Sequence, residues 1–514
     1  YGGMPFAVTG LSDQEYALLA GWVKKGAVIT DEPVTLTGGE KESLQQWESF
    51  FNRDDNRSKL VARWLYEHLF MATLYFPDLD GKLRFFELIR SSTPPGRDVI
   101  PISTVFPNED PEQPFFYRIR PIVGNILHKR RMPYPLNHAK QRRINELFFT
   151  HEWPVSDLPG YSYAERVNPF ATFAAIPAYA RYRFMLDDAE YYVRNVIHGP
   201  VCRGQIATDV IRDRFWVLFQ NPESDPFITN NAYQRQAVPL LEMPGQNDDP
   251  LAMGEEWLRY LSHHNDYLAQ RRSQYVLQYP GGASLDHLWD GDNRNKDALL
   301  TIARHYDSAS VARGLIGDIP QTLWLMDYPL LERTYYILVV NYNVFGNVAH
   351  QLLTRLYFDL IRNSSEHNFL RMIPDGQRTD ILHDWYQHSG KLKFGIFYEK
   401  IDDVSPSAEN FTTDDPKQEL ALRILQRFES INAMANDPIN RCQAMSCVRS
   451  DQPLWIQKAD QALSAIAARP AADLAGINWL PEVTFVRVKH DQDKRTVYTL
   501  LRDRAHTNVA FILG

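Results

Sequence analysis

The segment WLMDYPLLERTYYILVVNYNVFGNVAHQLLTRLYFDLIR, residues 324–362, constrains the fold more than any other part of the chain. It is apolar along most of its length. Yet Asp327, Tyr328, Glu332, Arg333, Tyr335, Tyr336, Tyr342 and His350 interrupt it. Polar groups inside such a run are costly to bury unless each finds a partner or a use. The pattern predicts long core helices, and two readings follow. In one, the helices pack as an ordinary pair with satisfied tyrosine hydroxyls. In the other, they line a tyrosine-rich cleft suited to an acyl chain with a carboxylate or phosphate head.

A chain of 514 residues is too long for one ordinary domain, so two to four packed units are expected. The surplus of 26 Tyr and 11 Trp suits either a tyrosine-rich core or a large apolar cleft. The net charge of −8 argues against a general nucleic-acid binder, which needs a basic excess. No apolar run is long enough to span a bilayer as a helix, so membrane contact would be peripheral. The chain opens at Tyr1 without an initiator Met, which reads as a processed or cut end.

Helical patterns are expected near 12–25, 42–75, 138–150, 179–197, 251–272, 296–314, 330–364, 417–435 and 456–468. A connection with six prolines between Pro94 and Pro114 predicts extended or turn structure. Residues 482–501 alternate β-branched positions on both sides of a polar HDQDK turn, which predicts a hairpin. The expected class is mainly α, α+β overall. Four units are read: 1–30, 31–115 with the Pro-rich connection, a helical body 116–404 with an acyl-chain site, and 405–514 ending in the β element.

Three cysteines are present. Cys442 and Cys447 are not at CxxC spacing, and whether they pair is left open by sequence. Cys202 reads as a buried small hydrophobe more readily than as a nucleophile. No CxxCH, P-loop, HExxH or GxSxG occurs. The HLWDGDNRN run matches a calcium loop too poorly and reads as a turn.

At the N-terminus, a Met-Pro pair in a Gly-rich turn precedes Leu11-Ser12-Asp13 and a helix with Trp22, closing at Gly26. This resembles the C-terminal third of a class I cytochrome c domain. The resemblance implies that Met4 is a haem axial ligand; the alternative is a Met that fills a hydrophobic gap. In residues 181–222, Arg181, Arg183, His198, Cys202, Arg203 and Gln205 crowd donors around Gly199-Pro200. They would either meet an anionic ligand or pair with Asp187, Asp188 and Asp209.

The strings RWLYEHLFMATLYF (63–76), RYRFMLDDAEYYVRNVIHGPVCRGQIA (181–207), FWVLFQNP (215–222), residues 305–351 and HNFLRMIP (367–374) resemble the bacterial fatty acid cis/trans isomerases. The likeness preserves segment order across almost the whole chain. It implies a periplasmic enzyme carrying haem c on an N-terminal CxxCH, a motif this sequence lacks. It implies action on cis-unsaturated fatty acids, free or derived from membrane lipid. In that chemistry, electron-poor haem iron lowers the double-bond order until the chain rotates, without net redox. His68, His198, Arg203, Tyr336 and His350 are then candidates for pocket or head-group contacts, while the catalytic residues stay unassigned.

Residues 118–143 hold eight Lys/Arg and no acid. Lys129, Arg130 and Arg131, with Tyr134 and Phe115-Phe116 nearby, are candidates for contact with an anionic membrane surface; the alternative is a solvated face paired with acids elsewhere. Two rivals to the isomerase reading are a periplasmic haem electron carrier and a non-catalytic lipid-binding protein.

Overall fold

The computed structural model describes residues 11–27, 34–81, 83–124, 132–199, 205–212, 214–244, 253–305, 308–386, 402, 405–435, 437, 439–440, 452–467, 480–481, 483–491 and 494–501. Helix α1 is Asp13–Lys24, started by a capping box in which Ser12 and Glu15 satisfy each other's backbone N–H groups. Its Tyr16, Leu18, Leu19 and Trp22 are exposed, so the apolar face read from sequence is not packed away.

Helix α2, Gly38–Phe51, begins at a second capping box, Thr37 with Glu40. Helix α3, Asn56–Leu69, starts at Asp55, whose carboxylate accepts the Ser58 N–H. It is buried nearly all round, including Arg63, Glu67 and His68. These two helices lie against a four-stranded sheet ordered β3-β2-β1-β4, with β1 Thr73–Tyr75, β2 Phe86–Ser91, β3 Phe116–Pro121 and β4 Pro133–Pro135. The six-proline connection runs between β2 and β3 without a long regular element.

Helices α4 (His138–Phe149), α5 (Ala178–Asp187) and α6 (Ala189–His198) follow where the sequence pattern puts them. A second four-stranded sheet then departs from expectation. Its strands are β5 Arg214–Phe219, β6 Leu299–His305, β7 Ser308–Arg313 and β8 Thr322–Met326, ordered β7-β6-β5-β8. The described residues of 296–314 are therefore a 3₁₀ turn and an antiparallel strand pair, not a helix. β5 and β8 run parallel, with Trp216 opposite Leu323. Both strands are apolar on both faces, and β8 is buried at every position. Such short unbroken apolar runs carry no period that separates strand from helix. So the body read as helical is a mixed α and β core.

Helix α7, Met253–Gln278, is the longest described. After β8 come α8 (Tyr328–Tyr335), a π-helical turn Tyr336–Val340 and α9 (Val348–Leu370). Helices α10 (Asp375–Trp385), α11 (Pro416–Arg427) and α12 (Leu454–Ala467) precede the expected hairpin, β9 Val483–Lys489 with β10 Arg495–Leu501.

Four described cations of the basic stretch are ion-paired. Arg118 meets Glu48 at 2.9 Å, Arg120 meets Glu87 at 2.6 Å and Arg143 meets Asp187 at 2.6 Å. Lys140 bonds Asp188, which also accepts the Tyr134 hydroxyl at 2.8 Å. Tyr134 is buried, which removes it as an interfacial anchor.

Candidate active site

The parallel strands β5 and β8 end side by side, and each hands the chain to an aspartate. Asp225 caps the short helix Pro226–Thr229, accepting the Phe227 N–H at 2.9 Å. Its other oxygen accepts the Tyr328 N–H at 2.9 Å. Asp327 caps α8 by accepting the Leu330 N–H at 3.0 Å, and its second oxygen takes Arg271 at 3.0 Å and Asn368 at 3.3 Å. Burial, and next to it the neighbouring Asp327 charge, push the Asp225 carboxyl up to about 7. Strand carboxyl ends are where open α/β sheets commonly form ligand crevices.

Gln220, just past β5, carries this network outward. Its side-chain oxygen accepts the Tyr275 hydroxyl at 2.8 Å, and Tyr275 stands on α7. The guanidinium carbon of Arg371, at the C-terminal end of α9, lies 3.2 Å from the centre of the Tyr275 ring. Beside this stack opens a groove of about 220 Å³ walled by Tyr275, Val276, Tyr279, Ala283 and Pro406. On its inner side lies a smaller chamber of about 30 Å³, bordered by Arg271, Arg371, Arg378 and Asp402 among others. Desolvation by burial lowers the Arg371 guanidinium from its ordinary value, the nearby Arg271 charge acts the same way, and the Tyr275 partner opposes both.

A second polar cluster is sealed in the core. His68 and Glu332 are both fully buried, with Nε2 and Oε2 3.3 Å apart. The His68 Nδ1–H donates to the Trp64 carbonyl at 2.8 Å, since a carbonyl can only accept. Trp64 stacks on His68 at 3.8 Å and donates its indole N–H to Glu332 at 3.2 Å. Tyr335 closes the other face of His68 at 5.0 Å. Tyr336 opens the π-helical turn and donates to Glu67 at 2.7 Å, and Glu67 accepts from Arg63 at 3.0 Å. Burial pushes the Tyr336 hydroxyl well above its usual value, so it acts as a donor.

Of the residues singled out by sequence, the fold brings His68 and Tyr336 together, their rings 5.5 Å apart and edge to face. Both belong to the sealed cluster and neither lines the groove. His350 is buried elsewhere; its Nε2 accepts the Asn343 N–H at 3.0 Å and its ring lies beside Tyr342. His198 ends α6, half-buried. Arg183 pairs with Asp292 and Asp187, the ion-pair alternative for that segment. Met4, Arg203, Lys129, Arg130, Arg131 and the three cysteines lie outside the described residues. Tyr275, Arg371 and Asp225 were not site candidates, though HNFLRMIP contains Arg371; Glu332 was noted only as one of the polar residues interrupting 324–362.

Two of the described histidines, His68 and His350, are not placed as haem ligands. With His350 Nε2 accepting, its Nδ1 bears the proton. His68 has one nitrogen on a carbonyl and the other on a carboxylate. Among the described residues no group of three or more His, Cys, Asp or Glu is placed to hold a metal ion.

The model of the fatty acid cis/trans isomerase (CTI) family matches residues 1–514, the whole chain. The chain belongs to the fatty acid cis/trans isomerase family. No curated protein and no solved structure matches it. Membership makes an unsaturated fatty acid the expected ligand, and the groove beside Arg371 has the composition to take one: apolar walls ending at a cation. No described helix is long and apolar enough to cross a membrane.

Proposed function

We propose that this protein converts cis-unsaturated fatty acids to their trans isomers while the acyl chain lies in the groove between Tyr275 and Pro406. The observation that carries this reading is the groove itself, mostly apolar with Arg371 in its lining. Family membership supports the reaction class. The groove residues bind the chain, exclude water from it and orient its double bond. A cis chain is bent and a trans chain is straight, so walls that fit the twisted geometry between them favour rotation over either end state.

The haem c and the periplasmic location stand as further proposals from the family resemblance, and the anionic membrane contact through Lys129, Arg130 and Arg131 as one from the basic stretch 118–143. Haem would supply the electron-poor centre that lowers the double-bond order. Its ligands would be residues other than His68 and His350.

Gas chromatography of palmitoleic acid after incubation with the native protein tests the reaction. Formation of the trans isomer without saturated or oxidised product is expected. Bound acid with no trans product would favour a lipid-binding protein instead.

A further inference from the structure

We propose that the chamber closed by Arg371 is a carboxylate site, which seats the acid head of a free fatty acid whose chain lies in the adjoining groove. The inference rests on the isomerase reading of that groove.

The chamber is cationic by construction. Arg271, Arg272, Arg371 and Arg378 line it, with Asp402 as the acid among its walls. Their commitments differ. Arg271 is spent on Asp327 and Asn368. Arg378 donates to the carbonyls of Ile373, Arg371 and Asp402. Asp402 turns its carboxylate to the Ser405 N–H at 3.0 Å. Arg371 makes no ion pair with a described carboxylate; its guanidinium carbon lies over the Tyr275 ring, 3.2 Å from its centre. A guanidinium seated over an aromatic ring has further N–H donors to offer a planar anion, and carboxylate is the anion that matches two of them with parallel bonds.

Size selects among anions. About 30 Å³ accommodates roughly two water-sized groups, the two oxygens of a carboxylate. A glycerophosphodiester would have to leave most of its bulk outside such a space. Tyr275 and Arg371 border both the chamber and the groove of about 220 Å³, so the two spaces adjoin across this pair. A free acid must then be supplied by hydrolysis of an acyl ester, in which water adds across the ester bond and releases the carboxylate and an alcohol.

The test is titration of the native protein with palmitoleate, methyl palmitoleate and phosphatidylcholine vesicles, with the acid below its micelle concentration. The acid should bind about tenfold or more tightly than its methyl ester, the gain of a charge-assisted pair. Arg371→Gln should erase that preference, and Arg371→Lys should restore part of it. Equal affinity for acid and ester in the native protein overturns the proposal, and this arm stands even if R371Q fails to fold. A preference that survives in folded R371Q, or vesicles that displace the acid, also overturns it. Trans product from acid and ester with equal KM would remove the carboxylate site and keep the isomerase. No trans product from either would remove the isomerase, and the binding preference would still decide the anion site.

Discussion

His68 Nε2 and Glu332 Oε2 face each other across 3.3 Å although helices far apart in sequence supply them, 264 residues from one to the other. Both side chains are fully buried. Because Nδ1 already donates to the Trp64 carbonyl, a proton must occupy the gap between Nε2 and the carboxyl group, on one side or the other. Trp64 and Tyr335 cover the imidazole above and below. The cluster therefore ties α3 to α8, the helix that Asp327 starts at the end of β8.

Replacing Glu332 separates the two proton placements. In Glu332→Gln the amide oxygen can still accept from Trp64, and the amide N–H can donate to a neutral His68. Glu332→Leu leaves both partners buried and unmatched. Urea denaturation should show a cost of about 3–5 kcal/mol for E332L. E332Q should cost less than about 1 kcal/mol if the imidazole is neutral. A Gln variant as unstable as the Leu variant would mean that a charged imidazolium faces the carboxylate.

Tyr336 is a structural donor on this reading, not a substrate contact. Tyr336→Phe removes the hydroxyl that Glu67 accepts at 2.7 Å and leaves Arg63 on the other oxygen. A loss of about 1–3 kcal/mol in stability is expected, with palmitoleate affinity unchanged. Weakened binding at full stability would return Tyr336 to the acyl site.

Two buried groups should oppose each other in the pH profile of stability. Asp225 has its folded value raised to about 7, mainly by burial and then by Asp327. The folded state then holds a proton that the unfolded chain has lost, so this contribution is present below about pH 4 and disappears as pH rises through 7. His264 has its folded value lowered to about 3 by burial, then by Arg333 and Arg271. Its contribution is present above about pH 6.5 and disappears as pH falls towards 3. In urea melts between pH 4 and 6.5, Asp225→Asn should make stability rise more steeply with pH, and His264→Gln should flatten that rise. An unchanged slope in either variant would remove that group from the balance.

The sequence made some of this site legible for a definite reason. Polar residues inside residues 324–362 cannot be buried cheaply, and following that cost led to Tyr336; His68 came from the family-like string in α3, and the two do meet. Glu332 was marked by the same cost, but its partner His68 lies 264 residues away, so the sequence could not say which group it meets. Strands β5 and β8 escaped because FWVLF and TLWLM have no alternation to betray them. Arg371 escaped because a cation at a helix C-terminus is already accounted for by the helix dipole. What makes it a site is the Tyr275 ring from α7, a partner nearly 100 residues away, as the neighbouring Arg271–Asn368 pair at a separation of 97 illustrates. Such pairings belong to the fold and leave no local mark.

The groove wall supplies the last expectation. Gly282 sits at φ +97°, where a side chain is strained, and a Cβ there would run into the Pro406 carbonyl. The turn is pinned on both sides, since the Gly282 N–H donates to Tyr279 at 2.9 Å and the Ala408 N–H donates to Ala283 at 3.1 Å. Gly282→Ala must therefore push the 405–408 segment away or distort the wall that carries Tyr279. A stability loss of about 1–3 kcal/mol is expected. Palmitoleate and its methyl ester should weaken by the same factor, because the wall meets the chain and not the head. A loss confined to the acid would mean that the turn acts on Arg371, and unchanged binding of both would place the acyl chain outside this groove.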